Sequence, residues 1–187
     1  MSRFRKVMGI EDGSFIPRIS KHCLLAGVLM SHFKVEDVFL ERITVDGMDV
    51  TDKVLKMLRK ARNVELLVSG GITFAGFNIL DPYKVFKRTQ VPVLIITRRK
   101  PNNEAVYSAL RKHFKDWKER WEIIRQVGNA MEIINIKSER MYIELVGLTY
   151  EDAVETIESL TIWGKRPEPL RVANLVAKGL SKNLTEI

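Results

Sequence analysis

The chain has 187 residues, 45% of them hydrophobic and 29% charged, which suits one folded domain over residues 1–187 and excludes an intrinsically disordered chain. Lys and Arg outnumber Asp and Glu by 31 to 23, and the net charge of +8 favours a polyanionic partner, nucleic acid before an acidic membrane. The one cysteine excludes an intrachain disulfide, and no apolar run reaches the ~20 residues of a membrane span, so we expect a reducing, cytoplasmic setting without a membrane partner.

The first part of the chain predicts a β-meander, a helix and a buried strand. Apolar runs and partial alternation predict three strands, over 4–10, 22–32 and 35–45. An apolar stripe over 49–61 predicts a helix, for which Asp49 is a natural N-cap and Asp52 completes a pair resembling a capping box. A short apolar strand over 64–68 follows and leads into the glycine-rich loop 69–77.

The second part of the chain continues as alternating helices and strands. Asp81 is the N-cap and Pro82 the first residue of a helix, and a strand over 93–97 comes next. Periodicity and capping residues predict the remaining elements, which are helices from Asn102 or Asn103 towards Phe114 and over 116–127, strands over 131–136 and 141–146, and helices after Thr149 and from Pro167. Three strands, a helix, a strand, a helix and a strand is the element order of ribonuclease H-like nucleases, although other α/β folds share it. We therefore expect an α/β fold, a mixed sheet flanked by helices.

The surplus of positive charge is local in the sequence. Between Lys84 and Arg125 there are 12 basic and 4 acidic residues, so this window carries a surplus equal to the net charge of the whole chain. Such a window predicts a basic surface that contacts phosphates. Its aromatic residues either stack on bases or form a buried helix face, and helical spacing favours the buried face for Phe114, Trp117, Trp121 and Ile124.

Carboxylates stand where the predicted strands end. Glu11 and Asp12 end the first strand, where alternation lets only one of the two face a common site, Asp46 ends the third strand, and Asp49 begins the next helix. Acids that converge at strand ends suit Mg²⁺ or Mn²⁺, hard cations that take oxygen ligands and share them with a scissile phosphate. The structural alternative is that Asp12 and Asp46 are ordinary turn residues before glycine and that Asp49 only caps its helix.

The glycine-rich loop is the other unusual feature. Gly70 and Gly71 allow a phosphate backbone to approach closely, and the loop lacks the lysine of a P-loop, which argues against a nucleoside triphosphate site. Phe74 and Phe77 either wedge into a base stack or line a pocket for an extruded base, or else they pack beneath the loop. The loop is therefore a candidate contact for nucleic acid.

Five strings together resemble the largely archaeal endonuclease dU family, long classed as a domain of unknown function. In chain order they are Gly9 to Gly13, Thr44 to Gly47, Ser69 to Asn78, Arg98 to Pro101, and Pro167 to Ala173. They span nearly the whole chain, and their combination is specific although no single string is. That family is itself similar to endonuclease V, a ribonuclease H-like enzyme that nicks nucleic acid near deaminated bases with Mg²⁺. The resemblance implies an endonuclease V-like fold.

The resemblance also implies roles for individual residues. The implied metal ligands are Glu11, Asp12, Asp46, Asp49 and Ser69, with Asp49 in an outer position and Ser69 where endonuclease V has a third carboxylate. The implied catalytic residues are Asp12, Asp46, Arg98 and Arg99, the arginines stabilising phosphate charge. The implied nucleic-acid contacts are Gly70, Gly71, Phe74, Phe77, Arg98, Arg99 and Lys100.

The leading hypothesis is a Mg²⁺- or Mn²⁺-dependent endonuclease that acts in DNA repair on DNA containing deoxyuridine or deoxyinosine. The alternative is a catalytically degenerate nucleic-acid-binding protein of the same fold, because Ser69 is a neutral and weaker ligand than a carboxylate. A third hypothesis is a small-molecule enzyme whose phosphorylated substrate binds the glycine-rich loop. The sequence leaves open whether the partner is DNA or RNA, which base is recognised and how many copies assemble.

Overall fold

The computed structural model describes residues 3–136, 139–164 and 166–184. Its first three strands form an antiparallel meander, β1 (Lys6–Asp12), β2 (His22–Ser31) and β3 (Lys34–Thr44). The long apolar run of β2 is mostly buried because this strand pairs along both of its edges. Strand β1 continues beyond its expected end at Ile10, because β2 supplies pairing partners as far as Leu25, which lies opposite Asp12.

The middle of the chain adds two parallel strands and the helices around them. These elements are α1 (Val50–Lys60), β4 (Leu66–Ser69), β5 (Thr73–Phe74), β6 (Asn78–Ile79), α2 (Pro82–Thr89) and β7 (Val93–Thr97). Strand β4 pairs in parallel with both β1 and β7, whereas β5 and β6 form a separate hairpin inside the predicted glycine-rich loop. Asp81 caps α2 as predicted, because its Oδ1 accepts a hydrogen bond of 2.9 Å from the backbone amide of Lys84.

The last part of the chain completes the sheet and its helical cover. Its elements are α3 (Asn103–His113), α4 (Trp117–Gly128), β8 (Met131–Ile136), β9 (Glu139–Val146), α5 (Tyr150–Leu160) and α6 (Glu168–Leu184). Strand β9 pairs antiparallel with β7 and β8, which gives seven strands in the order β3-β2-β1-β4-β7-β9-β8. The predicted α/β fold, a mixed sheet flanked by helices, is confirmed. Within the described ranges, no helix has the length and apolar character needed to cross a lipid bilayer.

Helices cover both faces of the sheet, and alternation along β1 connects the two cores. On one face Ile10 of β1 packs with Val54 of α1 and Val85 of α2. On the other face α5 and α6 cover the sheet, through Ile157 and Leu170. Because successive strand residues point to opposite faces, the two acids that end β1 point to different helical layers.

Gly9 brings α6 close to β1. A Cβ at this position would lie 2.2 Å from the carbonyl carbon of Pro169, closer than any real Cβ contact. The first turn of α6 therefore packs directly on the backbone of β1, three residues before the strand ends at Asp12. This contact holds the Pro167 to Ala173 string, one of the five on which the family resemblance rests, beside the acids of β1.

Candidate active site

The candidate site lies where β1 and β4 end side by side. The two strands are parallel, so Asp12, the last residue of β1, and Ser69, the last residue of β4, lie at the same edge of the sheet. Alternation places Asp12 on the α1 face with Ile10 and places Glu11 on the α6 face. Of the two acids predicted at the end of β1, only Asp12 therefore faces the α1 side of the sheet.

Asp12 and Asp46 hold the turn of the β5–β6 hairpin between them. The Oδ2 of Asp12, which is half-buried, accepts a hydrogen bond of 2.6 Å from the backbone amide of Ala75. Asp46 is exposed; its Oδ1 accepts a bond of 2.9 Å from the amide of Phe77, and its own amide donates to the carbonyl of Ala75 at 2.9 Å. The fold thus brings together two predicted site residues that are distant in the sequence. Burial raises the pKa of the Asp12 carboxyl above its ordinary value, and the bond from Ala75 opposes that rise.

The backbone at this turn is left-handed on both sides of the contact. Asp46 has a φ of 56°, a conformation that Asp tolerates better than most residues, and Gly76 has a φ of 88°. A Cβ on Gly76 would lie 2.2 Å from Oδ1 of Asp46. Glycine at position 76 therefore lets the hairpin turn approach the Asp46 carboxylate.

Glu11 lies on the other side of β1 and is held by a different set of groups. It is buried, and its Oε1 accepts a hydrogen bond of 2.8 Å from Nη1 of Arg166. Burial raises the pKa of Glu11, and the charge of Arg166 opposes this rise. A Cβ on Gly70 would lie 2.2 Å from Oε1 of Glu11, so the glycine-rich loop packs directly on this carboxylate. The sequence gave no signal for Arg166, which precedes the recognisable Pro167 string.

Asp49 has a structural role that differs from the predicted one. Its carboxylate makes no capping bond to α1; it accepts bonds from the amide and hydroxyl of Thr44 and a 2.6 Å bond from Nδ2 of Asn78. Burial raises the pKa of Asp49, but the bonds from Asn78 and Thr44 outweigh it and the net change is downward. The buried Asn78 caps the helix instead, accepting 3.0 Å from the amide of Val50. Sequence reasoning missed Asn78, and the predicted pairing of Asp49 with Asp52 is wrong.

Ser69 is fully buried, and its hydroxyl serves the loop. Its Oγ donates a hydrogen bond of 2.5 Å to the carbonyl of Gly71, which closes the first turn of the glycine-rich loop. Ser69 therefore lies at the predicted place, on the sheet edge that Asp12 occupies, with its proton committed to the protein backbone. A carboxylate at this position would have no proton to donate to that carbonyl.

The oxygen ligands of this site suit a hard divalent cation, but they are few. Among the described residues, no three His, Cys, Asp or Glu side chains are grouped so that they could hold a metal ion. Asp12 and Asp46 supply two carboxylates around residues 75–77. Mg²⁺ commonly keeps several waters and is bound through one or two carboxylates together with substrate phosphates. The pair therefore fits Mg²⁺, or Mn²⁺, as a site that substrate completes.

The predicted basic residues lie at the same edge of the sheet. Arg98, Arg99 and Lys100 are exposed and directly follow β7, which is parallel to β4. Within the part of the chain that the structure describes, none of the three is in salt-bridge distance of an acid, so their charges are available to a phosphate. The rest of the basic window is divided, because Lys84 pairs with Asp52 and Arg120 is buried. The expected continuous basic surface over 84–125 is thus interrupted.

Arg120 is a positioning residue that sequence reasoning missed. Its guanidinium lies in a salt bridge with Asp116 and donates from Nη1 to the carbonyls of Gly47, at 3.0 Å, and Phe77, at 2.6 Å. These bonds join α4 to the turn that carries Asp46 and to the β5–β6 hairpin. In the sequence Arg120 looked like one more member of the basic window, since no pattern marks a buried arginine.

The aromatic residues of the loop pack inside the protein. Phe74 is 3% exposed and belongs to the core beneath the loop, and Phe77 packs edge-on against Phe114 with ring centroids 5.5 Å apart. The structure therefore corrects the predicted base contact of Phe74, because a buried ring is not available to a base, and it favours the packing alternative for Phe77. The buried-face prediction for the α3–α4 aromatic residues is confirmed, since they pack around Ile79 and Leu110.

Comparisons of sequence identify relatives along nearly the whole chain. The family model described as Endonuclease dU matches residues 3–181. A UPF0215 protein from Thermococcus gammatolerans is 38% identical over 181 residues, which covers 94% of this chain and 91% of that protein.

Comparisons of structure give the same fold. A crystal structure from Archaeoglobus fulgidus DSM 4304 superposes with a TM-score of 0.82 at 33% identity, covering 94% of this chain and 97% of that one. Endonuclease V from Ciona intestinalis, solved with a 23mer DNA containing an inosine followed by a ribo-adenosine, has a TM-score of 0.65 at 11% identity and covers 97% of this chain and 87% of its own. The predicted endonuclease V-like architecture is thereby confirmed.

Proposed function

Because the chain belongs to the endonuclease dU family, we propose that it is a divalent-metal-dependent endonuclease that nicks DNA near deaminated bases such as deoxyuridine or deoxyinosine, in DNA repair. The observation that carries the proposal is the hold of Asp12 and Asp46 on residues 75–77 of the glycine-rich loop. Two carboxylates and a loop open to backbone contact thus meet at the edge of the sheet where β1 and β4 end. The DNA-bound endonuclease V of the same fold supports the choice of substrate class.

In this proposal Asp12 and Asp46 hold Mg²⁺ or Mn²⁺, and the bonds from Ala75 and Phe77 keep the two carboxylates oriented. A bound cation supplies a hydroxide nucleophile near neutral pH and stabilises the leaving oxygen. Because burial raises the pKa of Asp12, the site gains affinity for a cation as the pH rises and this carboxyl ionises. Arg98 and Arg99 stabilise the charge of the attacked phosphate, and Lys100 holds a neighbouring one.

The second candidate function is a nucleic-acid-binding protein that does not cut. The observation that favours it is the Ser69 hydroxyl, which donates to Gly71 where the related nucleases of the resemblance have a carboxylate. Such a protein would bind through Arg98, Arg99 and Lys100, and its affinity would fall steeply with salt while remaining insensitive to divalent metal.

The test is a nicking assay on a duplex with one deoxyuridine, compared with the same duplex carrying thymidine, in Mg²⁺, Mn²⁺ or EDTA. We expect metal-dependent nicks in the deoxyuridine strand alone. Asp46→Asn retains an oxygen for the Phe77 amide but removes the charge, and should lower the nicking rate by ~10²-fold. The exposed Asp37 of β3 gives the matched control, Asp37→Asn, with unchanged activity. A nuclease-free preparation that never nicks, or an Asp46→Asn variant as active as wild type, would overturn the proposal.

A further inference from the structure

Glu144 is an acid that the fold buries without giving it a partner. It lies in β9 between Ile95 of β7 and Met131 of β8, and it is 4% exposed. Its Oε2 has no hydrogen-bond partner among the residues described. Burying an unpaired carboxyl disfavours the folded state, so stability alone does not explain an acid at this position.

Glu144 lines a pocket between the sheet and the helices α3 and α4. The cavity has a volume of about 220 Å³, and its other walls include residues 70–73 of the glycine-rich loop, Val106 of α3 and Ile124 of α4. Sites for drug-sized ligands have volumes of ~300–1,000 Å³, so this cavity suits one small ring system. The walls are mainly apolar, and Glu144 is the one acid among the described residues that line them.

The chemistry of the pocket favours a neutral partner. The walls from β7, β8, α3, α4 and the loop present apolar, hydroxyl, amide and backbone groups, and no titratable side chain other than Glu144 faces the cavity in the described ranges. Burial raises the pKa of Glu144 to about 7. Near neutral pH the group is therefore in large part a carboxylic acid, which presents an O–H donor beside a C=O acceptor.

The pocket and the candidate active site share the glycine-rich loop. Residues 70–73 line the pocket, Gly70 packs against Glu11, and Ala75 of the same loop binds Asp12. A group that enters the pocket therefore lies on the far side of a short loop from the carboxylates proposed to act on the DNA backbone.

We propose that this pocket receives one nucleobase extruded from the bound strand, and that the Glu144 carboxylic acid pairs with the lactam edge of a deaminated base. Uracil and hypoxanthine both present a carbonyl oxygen beside a ring N–H, and a carboxylic acid matches that edge with two hydrogen bonds. The apolar walls contact the ring faces. This inference rests on the proposed function and identifies Glu144 as the residue that determines its base specificity.

The test measures binding rather than cutting. Fluorescence anisotropy gives the affinity for single-stranded oligonucleotides that carry one deoxyuridine, one deoxycytidine or one abasic position, in EDTA so that no nicking occurs. We expect wild type to prefer deoxyuridine at about pH 6 and to lose this preference by up to ~10-fold per pH unit above about pH 7, as Glu144 ionises.

Two variants separate the donor from the charge. Glu144→Gln keeps a donor beside an acceptor and should keep the preference for deoxyuridine, now independent of pH. Glu144→Leu should lose the preference at every pH while binding the abasic strand as wild type does. The exposed Glu132 of β8 supplies the matched control, Glu132→Gln, which should behave as wild type. Thermal unfolding of Glu144→Leu checks that the variant is folded.

The outcomes distinguish this inference from the proposed function. A Glu144→Leu variant that retains the wild-type preference would overturn the role of Glu144, even if the wild-type protein nicks DNA. Equal binding of deoxycytidine and deoxyuridine at about pH 6 would overturn the lactam assignment. Conversely, a protein that shows the expected preference in EDTA and never nicks in Mg²⁺ or Mn²⁺ would contradict the nuclease proposal and leave the pocket assignment intact.

Discussion

The acids of the candidate active site and the acid of the pocket are treated in opposite ways by the fold. Asp12 and Asp46 each accept a backbone hydrogen bond from the β5–β6 hairpin, and Glu11 is bonded to Arg166. Glu144 is more deeply buried than Asp46, yet its Oε2 has no partner among the described residues. The partnered acids therefore contribute to the folding of the loop, whereas Glu144 contributes nothing to it and weakens the sheet in which it lies.

This difference separates what a substitution in each region should do. Removing a partnered acid changes both the charge of the site and the position of the loop, so loss of activity has two sources. Removing Glu144 relieves an unfavourable burial, so stability should rise as recognition falls. A gain of stability combined with a loss of function is the pattern expected where a fold retains a costly group for a ligand.

The largest effect should come from Asp12→Asn. The amide oxygen can still accept the bond from Ala75, so the loop should keep its position while the charge is lost. We expect the nicking rate of a deoxyuridine-containing duplex to fall by ~10³-fold, because a cation loses one of its two carboxylates. Far-ultraviolet circular dichroism should be unchanged, and nicking at the wild-type rate would remove Asp12 from the site.

Glu144 should make stability depend on pH in the direction opposite to most carboxylates. Its pKa is about 7 in the folded protein against an ordinary value of 4.5, so the native state binds the proton more tightly than the unfolded chain does. The free energy of unfolding should therefore fall as the pH rises from about 4.5 to about 7, by ~3 kcal/mol in total, and this loss is complete above about pH 7.

The measurement is urea unfolding of wild type and Glu144→Leu across that range. Glu11 and Asp12 also have raised pKa values in the folded protein, so the difference between the two proteins, rather than the wild-type curve, isolates Glu144. The advantage of Glu144→Leu should be smallest below about pH 4.5 and should grow towards about pH 7. A difference that does not vary with pH would mean that Glu144 ionises normally.

The sequence was sufficient for the fold and for part of the candidate site. Alternating apolar strands and capped helices are local signals, and the acids before Gly13 and Gly47 stood at strand ends where a parallel pair brings them to one edge. The roles of Asn78, Arg120 and Glu144 depended on distant neighbours. Asn78 caps a helix that begins 28 positions earlier, and no local pattern separates these three residues from surface polar ones.

The smallest of the three effects tests how tightly the partnered region is built. Gly76→Ala forces a left-handed φ of 88° on a residue with a Cβ and brings that Cβ to 2.2 Å from Oδ1 of Asp46. The backbone conformation alone costs ~1–2 kcal/mol, and the carboxylate must also move, so we expect lower stability together with weaker nicking. Gly179 of α6, where an added Cβ meets nothing within 4 Å, provides the control, since Gly179→Ala should stabilise the helix by ~0.5–1 kcal/mol. If Gly76→Ala keeps both stability and activity, the hairpin turn is not what orients Asp46, and the contrast between the partnered acids and Glu144 loses its structural basis.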